Sequence, residues 1–393
     1  MKRYKIGIIG AGLRSVFFVN EILKKEKLEI AAIADIEMNN MDHLCNIYEK
    51  KWDKYLNYKD LLEREDIEGI VLATPDYMHE EHAVEILRAG KHLFLEKPIA
   101  VTLEGARRII KERNRSGKIL IVGFVLRYNN LYKKMKELID SGIIGEVKSG
   151  WVLHSVGTSS EWFFHDWHCK MENTGGLLIQ KGSHDFDIIN WIANSKVKKI
   201  AAMGSLDFFG GNNLNELECQ NCKDRSRCSE AIKGNNVILR KYNGKIAKIV
   251  YNQRKNKCAF REEINVLDNY QVLLEYENGV KASYFENHYT PDDNREYIFI
   301  GTKGKLILND EEDTITLKLR NGMQDRKEKI VYENLKALKW HGDGNSYILD
   351  DFISAMGSGI NPNASGEAGL DAIEIAITAH MSIISGEVKY LIK

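Results

Sequence analysis

Residues 5–35 read KIGIIGAGLRSVFFVNEILKKEKLEIAAIAD, and no other stretch constrains the fold as much. Lys5–Ile9 is a short, Ile-rich apolar run suited to a buried parallel strand. Gly10, Ala11 and Gly12 follow at once. Gly12 lets the backbone approach a pyrophosphate where a Cβ would collide. A helix is expected from about Leu13, with Arg14 in its first turn, and its amides and dipole point at the same phosphates. A second apolar run, Ile30–Ala34, ends in Asp35, about 20 residues past the turn, where a carboxylate binds a ribose 2′-hydroxyl. Ser15 stands where the usual pattern has its third glycine. Strand, turn, helix and acid together predict a dinucleotide site built from Gly10, Gly12, Leu13, Arg14 and Asp35. Asp35 would repel a 2′-phosphate, and Ile36 and Glu37 offer no cation to receive one, so NAD is expected rather than NADP.

The alternation of strands and helices continues to about residue 124. Tyr58–Leu62 predicts a short helix, Gly69–Ala73 a third buried strand, and Met78–Ala89 a helix stopped by Gly90. His92–Leu95 is a fourth strand, Leu103–Ser116 a helix and Ile119–Gly123 a fifth strand. In a doubly wound sheet, ligands bind at the carboxyl ends of the strands. That places Thr74 and Pro75 beside the cofactor, with Glu96 and Lys97 at the next strand end. His79 is either a capping histidine or a cofactor contact. Pro98 biases Lys97 to an extended conformation. A lysine held there can bond a substrate oxygen and stabilise a forming alkoxide.

The chain has 393 residues, enough for two domains. Its 56 Lys and Arg balance 56 Asp and Glu, which gives no reason to expect nucleic acid or an anionic membrane as partner. No transmembrane helix or signal peptide is expected, and a cytoplasmic location follows as the expectation. Six cysteines in a chain this long suit reduced thiols better than a disulfide scaffold.

The pieces GIIGAG, ATPDYMH at 73–79, AGKHLFLEKPIA at 89–100 and GFVLRYNNLYKKMKELIDSGIIGEV at 123–147 together resemble the Gfo/Idh/MocA oxidoreductases. The resemblance spans the chain and is sharpest in its first 150 residues. It implies an α/β fold in two parts. Residues 1–124 would form an NAD-binding Rossmann domain with a doubly wound parallel sheet. Residues 125–393 would form a substrate-binding and oligomerisation domain with a large, open, mostly antiparallel sheet, its last helices packing back on the first domain. It also implies that Lys97, in the EKP motif, is a catalytic residue, and that the protein assembles as a homodimer or homotetramer.

Beyond the fifth strand, Arg127 begins the crossover. Trp162, His165 and Trp167 lie in an aromatic, histidine-rich stretch that can pack a sugar face and bond its hydroxyls. Residues 173–194 read NTGGLLIQKGSHDFDIINWIAN and predict one helix capped by Thr174 and stopped at Asn194. On such a helix Gln180, Lys181, His184 and Asp187 share a face. Gly182 in its interior suggests close approach of a ligand or backbone. The segment resembles the family pattern GGxxxDxGxHxxD, which puts His184 on the catalytic histidine. The usual Asp is Gln180 here, so an Asp–His relay does not carry over. Lys181 beside His184 would favour its neutral form, able to act as a base. Asp187 is a candidate to fix its tautomer.

Cys219, Cys222 and Cys228 have a spacing able to hold zinc if a fourth ligand, such as Cys258 or Cys169, joins them; free thiols on a loop are the alternative. From Glu262 onward the sequence alternates like a sheet. It has a hairpin at Glu277-Asn278-Gly279, strands at Arg295–Ile300 and Lys305–Leu308, edge strands at Thr314–Leu319 and Glu328–Tyr332, and closing helices at Asn345–Met356 and Ala364–Ile384. The expected function is NAD-dependent oxidation of a carbinol on a sugar, polyol or glycoside. The alternatives are a glycosidase that oxidises its substrate transiently at C3, and a non-catalytic NAD-binding regulator.

Overall fold

The computed structural model describes residues 2–232, 237–242, 245–250, 257–320, 329–333 and 344–391. The chain divides into two compact units. One holds Met1–Phe124, Lys233–Arg254 and Asn345–Leu370; the other holds Val125–Ile232, Lys255–Gly344 and Asp371–Lys393.

The first unit is built on six parallel strands: β1 (Tyr4–Ile9), β2 (Leu28–Ala34), β3 (Asp53–Tyr55), β4 (Gly69–Leu72), β5 (His92–Leu95) and β6 (Leu120–Val122). Their spatial order is β3-β2-β1-β4-β5-β6, the reversal around β1 and β4 that defines a doubly wound sheet. Ile6, Ile8, Ile70, Val71, Leu93 and Phe94 are fully buried, as expected of strands covered on both faces. Helices α1 (Leu13–Ile22), α2 (Met38–Tyr48), α3 (Tyr58–Leu62), α4 (His79–Arg88) and α5 (Leu103–Ser116) make the connections. Thr102 caps α5 by accepting from Gly105 N at 3.0 Å, and Gly117 closes it at φ +64°. Phe94 meets Phe18 of α1 edge-on at 4.7 Å and Phe352 at 5.9 Å, so the C-terminal part of the chain completes this core. The three-residue strand β3 has too little apolar signal to be expected from sequence.

The second unit contains helices α6 (Asn130–Asp140), α7 (Met171–Thr174) and α8 (Ser183–Ala193) and a nine-stranded sheet. Its strands are β7 (Val147–Val156), β8 (Val197–Ser205), β11 (Asn269–Tyr276), β12 (Lys281–Asn287), β13 (Asp293–Gly301), β14 (Gly304–Asn309), β15 (Thr314–Leu319), β16 (Lys329–Glu333) and β17 (Lys389–Tyr390); β9 (Val237–Tyr242) and β10 (Lys245–Val250) form a separate antiparallel pair. The order is β16-β15-β14-β13-β7-β12-β11-β8-β17, antiparallel throughout except for β7 with β12. β15 is therefore an interior strand, and only β16 of the two expected edge strands is an edge. Asn278 and Gly279, the latter at φ +85°, turn the β11–β12 hairpin as read. Alternation leaves one sheet face apolar and exposed: Leu153 pairs with Phe285, and Trp151 with Ser283, which in turn faces Leu273.

The chain closes with α9 (Gly344–Ser358) and α10 (Gly366–Ser385). By length and composition α10 is apolar enough to cross a membrane, yet Ala372, Ile373, Ile375, Ala376 and Ala379 are buried in the fold.

Candidate functional site

In the first unit the strand ends assemble the nucleotide-type site from contiguous sequence. Gly10 sits at φ +91°, and a Cβ there would meet Ala73 O at 2.6 Å, so the turn between β1 and α1 presses on the end of β4. Ser15, buried in the first turn of α1, donates its hydroxyl to Gly10 O. The side chain at the missing third glycine thus ties the turn to its helix. Gly12 is the N-cap of α1 at φ −77°, an angle open to any residue, and a Cβ there would meet no protein atom within 4 Å. Packing within the chain does not require this glycine, and a phosphate approaching the N-cap does. Asp35 Oδ2 accepts from Ala11 N at 2.7 Å, while Oδ1 accepts from Glu37 N at 2.9 Å and Asn40 Nδ2 at 3.1 Å. A carboxylate has about four acceptor positions, so capacity remains for a ribose hydroxyl. The residues fit an NAD adenosine and pyrophosphate.

The Arg14 side chain makes its contacts within the first unit. Its Nε donates to Glu96 at 2.5 Å, Nη2 donates to Asn345 Oδ1 at 3.0 Å, and the guanidinium lies 4.7 Å above the Phe18 ring. The other Glu96 oxygen accepts from Lys97 N at 3.0 Å, so Glu96 holds the backbone from which Lys97 extends. The Lys97–Pro98 bond is cis. His79 is fully buried, with Nδ1 2.6 Å from Pro98 O and Nε2 3.0 Å from Thr74 O. It is neither a surface nor a capping histidine, and it clamps the loop after β4 to the loop after β5. Thr74 also reaches His82 Nδ1 through its hydroxyl at 3.1 Å, and Pro75 leads the short helical turn before His79. Burial holds His82 down at about 4, with His79 adding to the effect.

In the second unit, residues 173–194 do not form one helix. Thr174 ends α7, and Gly175 and Gly176 follow at φ +69° and +100°, which no right-handed helix tolerates. Leu178–Gly182 is a single π-type turn, and α8 starts at Ser183 and stops at Asn194 in the left-handed conformation. Thr174 accordingly caps nothing downstream; its hydroxyl donates to Lys170 O and accepts from Gly176 N. Such turns occur frequently at functional sites. This one carries Gln180 and Lys181, with His184 in the first turn of α8. His184 and Gln180 are buried, and Lys181 Nζ lies 5.3 Å over the Phe163 ring. The nearest neighbour of Gly182 within the protein is the Glu286 carboxylate, 3.0 Å from a built Cβ. Asp187 gives both oxygens to Arg127, at 2.7 Å each. Burial alone would depress Arg127, but the Asp187 charge and hydrogen bonds hold it above its ordinary value.

Beneath α8 lies a polar cluster that sequence reading missed. Asp185, wholly buried, accepts from Arg295 Nε at 3.0 Å, Tyr284 at 2.9 Å, Tyr297, and His154 Nδ1 at 2.8 Å, two donors to each oxygen. Burial raises the Asp185 carboxyl, but Arg295 and His154 outweigh it and hold it well below the carboxylate range. Burial and Arg295 push His154 down to about 4. The Tyr284 hydroxyl also reaches Glu286 at 2.5 Å, and His288 Nε2 lies 2.6 Å from the other Glu286 oxygen. His154, Asp185 and Glu286 place ligand-type atoms within 4.8 Å of one another, but donors already fill Asp185, and Arg295 supplies the positive charge. The cluster supports the α8 segment next to His184.

The aromatic stretch divides. Trp162 lies in a second π-type turn, Ser160–Phe164, and Trp167 stacks on His168 at 3.7 Å. His165 is buried, its ring nitrogens 2.5 Å from Lys257 O and 2.9 Å from Glu230 O, beside the cysteine cluster.

Residues 4–124 match the oxidoreductase family's NAD-binding Rossmann fold, and residues 136–390 match the same family's C-terminal alpha/beta domain. The chain belongs to the Gfo/Idh/MocA oxidoreductase family. Myo-inositol 2-dehydrogenase of Thermotoga maritima is 23% identical over 96% of each chain. Against several other curated inositol dehydrogenases the chain spans about half of their length. Two solved structures share the fold across the whole chain. One is a levoglucosan dehydrogenase with NADH and levoglucosan, at TM-score 0.79 and 15% identity over 100% of both chains. The other is the WlbA dehydrogenase of Bordetella pertussis with NADH and UDP-GlcNAcA, at TM-score 0.75 and 19% identity over 100% of this chain and 99% of that one.

Proposed function

We propose that the protein is an NAD-dependent dehydrogenase acting on a secondary alcohol of a sugar, polyol or glycoside. The observation that carries this reading is Asp35, which grips the Gly10–Gly12 turn through Ala11 N and keeps acceptor capacity for a ribose diol. Its negative charge favours NAD over NADP. When bound, the nicotinamide supplies the acceptor for the hydride of the substrate carbinol. Gly10, Gly12, Leu13 and the N-terminal amides of α1 hold the pyrophosphate, and Thr74 and Pro75 line the same strand ends.

His184 takes the hydroxyl proton as general base, and Lys97 orients that oxygen and stabilises its developing charge. Gln180 and Lys181 bind neighbouring hydroxyls, with Trp162 and Trp167 as faces for the sugar ring. The names of the inositol, levoglucosan and nucleotide-sugar relatives support the carbohydrate class. The exposed apolar face of the nine-stranded sheet supports assembly as a homodimer or homotetramer.

A second reading draws on Gln180, which stands where the family pattern has Asp. The same oxidation at C3 of a glycoside, followed by elimination of the aglycone, addition of water at C1 and return of the hydride to C3, would make the protein a glycosidase without net redox change. The test is incubation with free sugars, polyols and aryl glycosides, with and without added NAD, followed by mass spectrometry. An oxo-sugar formed in step with NADH supports the dehydrogenase. Free aglycone without NADH supports the glycosidase. No product on any substrate sinks both.

A further inference from the structure

The segment from Leu206 to Ile232 is long and almost without regular structure; among the described residues it holds one short turn, Cys219–Asn221. Loops of this length inside a compact domain are uncommon unless something else fixes them. Its start is held by Asp268, which accepts from Asp207 N, Phe208 N and Phe209 N, and by Phe209 stacked on Phe164, whereas Leu214 further on is exposed. What the segment does bring together is sulfur. Cys219, Cys222, Cys228 and Cys258 line one cavity of about 20 Å³, closed by Phe260, Ala231 and His165.

The backbone sets these thiols in place. Cys222 N donates to Cys219 O at 3.3 Å, which folds the Cys-x2-Cys pair into a tight turn. Arg225 N returns to Cys222 O at 3.3 Å, and Cys228 N to Asp224 O at 3.0 Å. Cys258 arrives from a distant part of the sequence, held by its own N to Leu217 O at 2.8 Å and by the antiparallel bridge of Glu218 with Lys257. The bridge brings the two segments together with Cys258 opposite Leu217, and both Cys219 and Cys258 line the cavity. Two donors already point at Cys258 Sγ, Asn213 Nδ2 at 3.3 Å and Phe260 N at 3.4 Å. N–H groups aimed at a sulfur stabilise a thiolate, as the outer contacts of a metal ligand do. Arg225 and Glu230 both line the cavity.

The remaining thiols sort away from the cavity. Cys169 Sγ accepts from Arg261 Nη2 at 2.7 Å, and that guanidinium is fixed further by Phe164 O and Cys258 O. Cys45 lies on α2, in the other unit. Of the two candidates for a fourth ligand, the fold brings Cys258 to the cavity and engages Cys169 elsewhere.

We propose that Cys219, Cys222, Cys228 and Cys258 bind one zinc ion as a tetrahedral tetrathiolate that staples the segment after β8 to the strand-like segment at Lys257–Cys258. Four thiolates are a closed, structural zinc set with no position open for substrate. Each thiol gives up its proton on binding, so zinc uptake releases protons and tightens as pH rises.

The test is elemental analysis of the full-length protein purified without added metal, paired with titration of the metal-stripped protein by Co²⁺. The expected result is about one zinc per chain, and a cobalt form with thiolate charge-transfer bands and the strong visible absorption of a tetrahedral site. Cys258→Ser is expected to lower zinc content at least tenfold, whereas Cys45→Ser and Cys169→Ala retain it. The cobalt spectrum of the unaltered chain keeps the proposal falsifiable if Cys258→Ser fails to fold. Wild-type protein that carries no zinc and gives no tetrahedral cobalt spectrum overturns the proposal. So does iron in the isolated protein, a disulfide among these four cysteines under reducing preparation, or zinc that survives Cys258→Ser and departs with Cys169→Ala.

Discussion

Arg127 and Asp187 are joined by two parallel hydrogen bonds, Nε and Nη2 each lying 2.7 Å from a carboxylate oxygen. The carboxylate is fully buried, the guanidinium packs 5.5 Å from the Trp191 ring, and the pair links the start of the second unit to α8. Breaking such a pair from one side leaves a buried charge without compensation, at a cost of about 3–5 kcal/mol. Asp187→Asn is therefore expected to lower the urea midpoint strongly. Asp187→Leu combined with Arg127→Met is expected to recover much of the loss. A single variant as stable as the wild type would show that the pair is not buried in solution.

Asp35 is expected to set cofactor choice. Asp35→Ser removes the ribose acceptor and the repulsion toward a 2′-phosphate, so NAD affinity should fall about tenfold and NADP affinity should rise relative to it. Isothermal titration with both nucleotides reads the ratio. An unchanged ratio would place the selectivity elsewhere.

Lys97→Ala and His184→Ala are expected to retain NADH binding, followed by fluorescence, while turnover falls about a hundredfold or more. If both variants turn over normally, neither residue touches the reacting hydroxyl.

His154 is held at about 4, against 6.5 for an ordinary histidine, by burial and by Arg295. A depressed folded value means that the unfolded chain takes up the proton first. The contribution is zero above pH 6.5, and stability falls as pH drops from 6.5 to 4, by about 3 kcal/mol for a shift of this size. Asp185 acts in the same direction at lower pH, because a depressed carboxylate contributes stability that is lost as it is protonated. Unfolding temperature measured from pH 7 down to 4 should fall steadily in the wild type and less steeply in His154→Gln. Parallel curves would assign the acid sensitivity to other groups.

The sheet face bearing Trp151, Leu153, Leu273 and Phe285 is expected to be covered by a second copy of the chain. Leu273→Glu combined with Trp151→Glu should convert the oligomer to monomer in light scattering without loss of secondary structure. A monomeric wild type would refute the assembly directly.

What the sequence made legible was local. Gly10 and Asp35 are legible because the turn they shape, with Gly10 at φ +91° and Asp35 accepting from Ala11 N, depends on a short stretch of sequence. Asn278 and Gly279 mark the hairpin for the same reason. The stretch around Gln180 misled, because its apolar spacing is helical while Gly175 and Gly176 break the path with positive φ angles that a string of letters does not reveal. Asp185 sits next to a histidine that any motif reading selects, yet its partners come from β7, β12 and β13. Alternation along a strand tells which face a residue takes, not which distant side chain it will meet. Cys258 is distant in sequence from Cys219, and only the fold brings both to one cavity.

The first unit is not finished by the residues that begin it. Val122 N donates to Ala364 O at 2.9 Å, Ile121 bridges Ser365, and Phe352 meets Phe94. On the ribosome, β6 therefore emerges with its outer hydrogen-bonding edge bare and stays so until residues 364 and 365 have been made. A nascent sheet in that state is open to pairing with a neighbouring chain. Translation pauses or truncations before residue 365 should thus damage the nucleotide-type unit first, although its motif is made well before those residues.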